Sequence, residues 1–121
     1  MTGEIRDYQL FPVPFTTGPI ANPITTASGN TGNLNVEGWA SVVLVINITG
    51  TFTATSITFS VDEYDPTNNV YVSLGSTAAL TGVGVTRLVI NPLLSQFIRL
   101  SWTSVALTTV TATISAKFRA A

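Results

Sequence analysis

The chain has 121 residues, the length of one domain, and only 9% of them are charged, against about 25% in a typical soluble domain. Its net charge is −1, and Arg6, Arg87, Arg99, Lys117 and Arg119 are scattered, so no basic stripe exists to release counterions from a phosphate backbone and no nucleic-acid partner is expected. Histidine and cysteine are both absent, which removes Ser-His and Cys-His nucleophile pairs, ordinary zinc sites, haem and iron–sulfur ligation and disulfides; no catalytic residue, cofactor or metal site is read, and the chain is not expected to be an enzyme.

From the N-terminus, Met1 to Asp7 does not read as a signal peptide, because no basic segment leads into an apolar run. Glu4 to Phe11 suits a strand. Pro12, Pro14, Pro19 and Pro23 then impose an extended course, and Ser28 to Asn33 reads as a turn. Phe11, Val13, Phe15, Ile20 and Ile24 are too apolar for a solvated linker. Residues 1–36 are therefore expected to form a strand and a Pro-rich arm, ahead of a β-sandwich over 37–121, the whole making one compact domain. The arm packs either along its own sandwich or on a neighbouring subunit or partner lattice. Its five apolar residues, with Trp39, are the candidate interface.

The uncharged stretch 39–61 alternates where a spanning helix would run on, so no membrane helix is read. A membrane β-barrel is nearer in period but would need secretion and aromatic girdles, and no membrane partner is expected. Ala40, Val42, Leu44, Ile46 and Ile48 point one way, with Val43 and Val45 making the other face partly apolar. Ile57, Phe59 and Val61 point inward on the next strand. A turn at Asp65 to Asn69 follows, and Val70, Val72 and Leu74 line the return of a hairpin over 56–74. Gly82 and Gly84 precede a strand at Thr86 to Ile90, which Asn91-Pro92 ends. Ile98, Leu100 and Trp102 alternate with Arg99, Ser101 and Thr103, which places Trp102 in the core. Last, Val110, Ala112, Ile114, Ala116 and Phe118 face in. No window has a helical period, and Thr, Val and Ile dominate, so the fold class is all-β: an antiparallel β-sandwich, jelly-roll-like.

Few side chains carry candidate chemistry. Asp62, Glu63 and Asp65 form the one acidic cluster, a solvated turn or, with Asn68 or Asn69, a set of calcium ligands without the spacing of a calcium loop. Arg99 lies on the polar face, with Glu63 its candidate partner in a structural ion pair. Trp39 begins a strand on its less apolar face and is the better exposed of the two tryptophans, a candidate for stacking on sugars.

From Ala40 onward the layout resembles that of small β-sandwich head-decoration and structural proteins of tailed bacteriophages. The matching pieces are Val42 to Gly50, Thr58 to Asp65, Tyr71 to Leu74, Phe97 to Trp102, and Thr111 to Phe118; Tyr71 stands where such relatives carry a tryptophan. The resemblance implies a capsid decoration or cement protein. Such a protein binds the outside of the assembled head, with the major capsid protein lattice and copies of itself, as a trimer, as partners. It also implies the host cytoplasm during assembly and the capsid exterior in the virion. A surface so poor in charge fits faces covered by other subunits, where neutral hydroxyls avoid the burial of unpaired ions. A tail or baseplate module and a carbohydrate-binding adhesin domain are the alternatives.

Overall fold

The computed structural model describes residues 5–11 and 22–120. Ten strands run in chain order: β1 (Ile5–Phe11), β2 (Asn22–Ile24), β3 (Ser28–Asn30), β4 (Leu34–Asn35), β5 (Trp39–Thr53), β6 (Ser56–Asp65), β7 (Val70–Ser76), β8 (Gly84–Ile90), β9 (Phe97–Val105) and β10 (Thr109–Ala120). Among the described residues there is no helix, as the β-branched composition leads one to expect.

The strands form two antiparallel sheets. Sheet A has the order β1-β10-β5-β8, with β2 continuing the line of β1 along β10. Sheet B has the order β3-β9-β6-β7, with β4 following β3 along β9. From β4 to β10 the chain crosses between the sheets at every connection except the β6–β7 hairpin. Counting β1/β2 and β3/β4 as interrupted single strands, this is the eight-stranded wrapping of a jelly roll.

The core lies between the sheets. Val42, Leu44, Ile46 and Ile48 from β5 meet Ile57, Phe59 and Val61 from β6, Ile98 and Leu100 from β9, and all five inward residues of β10. The alternation read from β5, β6, β9 and β10 is thus the packing pattern itself. The β6–β7 hairpin is also present, with Tyr64 opposite Tyr71 and Asp65 opposite Val70.

Some expectations are corrected. Residues before 37 give strands to both sheets, so residues 36 and 37 mark no structural boundary. Phe11 and Ile24 are buried in the core of this same chain and offer nothing to a neighbour. Phe11 is turned inward by a bulge, since Gln9 pairs with Ser115 but Phe11 pairs with Ile114. Val13, Phe15 and Ile20 lie outside the described residues. Trp39 is moved by a second bulge: Ser41 pairs with Arg119, and Trp39 with the very next residue, Ala120. The extra residue reverses the parity, and the indole packs on Phe118 with ring centroids 5.7 Å apart. It is a rim residue of the core, not a free stacking surface.

Trp102 shares the inward face yet is only partly buried. It meets Phe11 edge-on at 5.7 Å, and its Nε1 donates to the Thr26 carbonyl at 3.3 Å. Gly29 stands opposite it on β3, where any Cβ would come within 2.5 Å of the indole. At the far end of the sandwich, Val70 and Val72 are exposed and only Leu74 of their row packs against the core.

Candidate functional site

The outer face of sheet B is built around a buried carboxylate. Register places Asp62 between Arg99 of β9 and Ser73 of β7, and Ser60 beside Ser101. Asp62 is the one buried charged residue among those described, at 8% exposure. Arg99 Nε donates to its Oδ2 at 3.1 Å and Ser101 Oγ to the same oxygen at 2.9 Å. Ser60 Oγ donates to Oδ1 at 3.0 Å. Three donors on a largely desolvated carboxylate are what makes such a charge tolerable there.

Arg99 therefore pairs with Asp62 and not with Glu63. The reason is the register: Arg99 lies directly opposite Asp62, while Glu63 lies opposite Ile98 and so points to the other side of the sheet. Glu63 accepts a hydrogen bond from Ser95 instead. It lines an open cleft of about 470 Å³ at the end of the sandwich with Tyr64, Asp65, Val72, Gln96 and Phe97. The third acid, Asp65, organises the hairpin turn. Asn68 Nδ2 donates to it at 2.8 Å and the Thr67 amide at 3.0 Å. The Asn68 side-chain bond is the main cause that holds the Asp65 carboxyl below its ordinary value. The three acids thus face three different sets of partners. Among the described residues no three acids, histidines or cysteines gather into a metal-binding group.

Two aromatic side chains complete this face. The guanidinium of Arg99 sits over the Tyr71 ring, 3.6 Å from its centroid, a cation–π contact. The Tyr71 hydroxyl donates to Asn33 in the β3–β4 connection, on the far side of β6 and β9 in the sheet order. The ring must therefore lie across the strands. Tyr64, opposite on β6, stands 5.2 Å away at 48°, and its hydroxyl donates to Asn69 at 2.7 Å. A groove of about 290 Å³ along β3 and β9 begins at Arg99. Neither tyrosine was singled out as a site residue from sequence, although both flank the Asp65–Asn69 turn, and hairpin register alone would set them side by side.

The outer face of sheet A is different in kind. Val43 and Val45 of β5 pair with Val89 and Arg87 of β8, and Asn47 pairs with Val85. Val85 and Val89 are exposed at 67% and 56%. The other half of the face is β10, with Thr111, Thr113, Ser115, Lys117 and Arg119 outward. Ile5, Val43, Val89, Lys117 and Arg119 border a shallow groove of about 270 Å³. Charge is divided between the sheets. Arg6, Arg87, Lys117 and Arg119 lie on sheet A with Asp7, whereas Asp62, Glu63 and Asp65 lie on sheet B with Arg99. Asp7 and Lys117 approach to 3.8 Å, both well exposed.

No helix among the described residues is long and apolar enough to cross a membrane. The chain matches no protein-family model, and no curated protein matches its sequence.

Proposed function

We propose that the protein is a non-enzymatic structural subunit of a phage virion, a decoration protein that docks on the outside of an assembled head. The outer face of sheet A would be its contact surface. The observation that carries this reading is the row of valines on β5 and β8, with Val85 and Val89 exposed on either side of Arg87 and the hydroxyls of β10 beside them, among which Lys117 and Arg119 are the other outward cations. Apolar side chains of this kind gain from removal from water, and neutral hydroxyls can be covered without stranding an ion. The layout of residues 40–118, which resembles that of small head proteins of tailed phages, supports the same reading. Binding only the assembled lattice stabilises that lattice by mass action, and no chemistry is required.

Co-sedimentation with expanded, undecorated heads tests it. The wild-type chain is expected in the pellet at saturable copy number. A Val85→Asp/Val89→Asp variant, shown to be folded by circular dichroism, is expected to stay in the supernatant. Failure of the wild type to pellet, or equal pelleting of the variant, would overturn the assignment.

A further inference from the structure

We infer that the outer face of sheet B is a glycan-binding platform, on which the free face of Tyr71 stacks against the C–H face of a neutral pyranose. This site lies on the opposite side of the sandwich from the proposed docking face and does not depend on it.

The ring is held before any ligand arrives. Arg99 covers one face at 3.6 Å, and Asn33 holds the hydroxyl. Arg99 is itself fixed by Asp62, which Ser60 and Ser101 hold in turn. A preorganised aromatic surface loses little side-chain freedom on binding, and that lowers the cost of a weak contact. Tyr71 nevertheless remains 37% exposed. With the guanidinium on one face and the tilted Tyr64 ring 5.2 Å away, the exposed area is the part of the ring that these two neighbours leave open.

The chemistry around the ring selects the ligand. The electron-rich face of an aromatic ring attracts the weakly positive C–H groups of a sugar ring. Hydroxyls at the sugar's rim require donors and acceptors nearby. Asn33 and Asn69 each engage a tyrosine hydroxyl through one end of the amide, which leaves the other end without a protein partner among the described residues. Arg99 contacts Asp62 through Nε, so its terminal amino groups remain as donors beside the groove at Ser28 and Asn30. A cationic ligand is disfavoured, because Arg99 already occupies the opposite face of the same ring. An anion gains little, because Asp62 neutralises Arg99. A neutral polyol is the class that remains. The groove of about 290 Å³ adjoins Arg99 but is not lined by Tyr71, so a sugar on the ring rests on an open face and a single contact will be weak.

The test uses the full chain labelled with ¹⁵N and a panel of neutral methyl pyranosides: glucoside, galactoside, mannoside and N-acetylglucosaminide. At least one is expected to give saturable amide shifts at Asn33, Tyr64, Asn69, Tyr71 and Arg99, with a millimolar dissociation constant. Tyr71→Ala is expected to abolish those shifts, and Tyr71→Phe to weaken them without loss. Val85→Asp/Val89→Asp, the variant that tests head docking, is expected to bind sugar as the wild type does. That separates failure of one assignment from failure of the other. The inference is overturned if no pyranoside gives saturable shifts at this face, if Tyr71→Ala binds equally, or if only a protein or a charged ligand perturbs these residues.

Discussion

The two outer faces of this sandwich are built differently. On sheet B, polar side chains satisfy one another around a buried acid: Asp62 takes three donors, Arg99 lies on Tyr71, and each tyrosine hydroxyl has an asparagine. On sheet A, exposed valines alternate with hydroxyls and three cations across β5, β8 and β10. Scarcity of charge has two consequences, then. Where an ion is embedded, its neighbours are committed to it, and where none is embedded, apolar side chains such as Val85 and Val89 stay exposed. Substitutions on one face should therefore be felt in folding, and on the other in binding.

Asp62→Ala should break that contrast most forcefully. It leaves Arg99 without its carboxylate and removes the acceptor of two serine hydroxyls. Loss of one partner of a buried pair costs about 3–5 kcal/mol. The side chains here are 25% and 11% exposed, so water reaches part of the pair, and about 2–3 kcal/mol is the expected loss. A urea denaturation curve with an unchanged slope and a lower midpoint would show it. A loss below 0.5 kcal/mol, the ordinary range for a surface site, would make the cluster an incidental surface arrangement.

Sheet A supplies the complementary prediction. Val85→Thr and Val89→Thr are nearly isosteric changes at open positions, and threonine favours a strand as valine does. Each should alter stability by less than about 0.5 kcal/mol while weakening pelleting with heads. A stability loss above about 1 kcal/mol from either one would mean that the face is already covered within the chain.

The same contrast explains how far the sequence could be read. The strands with uninterrupted alternation, β5 from Val42 to Ile48 and β10 from Val110 to Phe118, are buried as their period indicates, since one face of a pleated strand must meet the core. Trp39 and Phe11 each adjoin a bulge that turns them toward the core, and an inserted residue leaves no mark on the local pattern by which the sequence could decide between core and interface. Val70 and Val72 have the inward parity but sit at the tip of an edge hairpin, where period says nothing about what stands opposite. The partner of Arg99 was displaced by one residue, because register decides between Asp62 and Glu63 and a one-residue slip changes the face. Tyr71 and Asn33 meet across 38 positions of sequence, a distance over which only topology brings side chains together.

Gly29→Ala tests the boundary between face and core on sheet B. The new methyl would stand 2.5 Å from the Trp102 ring, and the indole is confined by Phe11 and by its bond to the Thr26 carbonyl. Overpacking of this sort costs about 1–3 kcal/mol, and partial exposure of Trp102 gives the ring some room to yield, so the lower half of that range is expected. Tryptophan fluorescence should change with it, since the indole must shift. An unchanged spectrum with unchanged stability would mean that β3 is not held against β9 in the way the pairing of Gly29 with Trp102 requires.

The smallest effect concerns the hairpin turn that carries the two tyrosines. The Asn68 side chain is the leading cause of the lowered Asp65 value. A carboxyl whose folded value lies below its unfolded one stabilises the fold above the unfolded value of about 4, and loses that contribution as pH falls through the folded value. Asn68→Ala should thus lower stability slightly at neutral pH, with the difference from wild type vanishing under strongly acidic conditions. Because Asp65 sits in a half-exposed hairpin turn, the signal is a change in slope on the acid side of a stability–pH curve and not a large shift of midpoint. Direct titration of the Asp65 carboxyl carbon by NMR gives the cleaner reading, with the variant expected to titrate at higher pH than the wild type. Equal titration in both would show that the turn is held by its backbone bonds alone. The tyrosine pair would then owe its placement to strand register, to Arg99 and to the backbone amides of Thr67 and Asn68 that donate to Asp65.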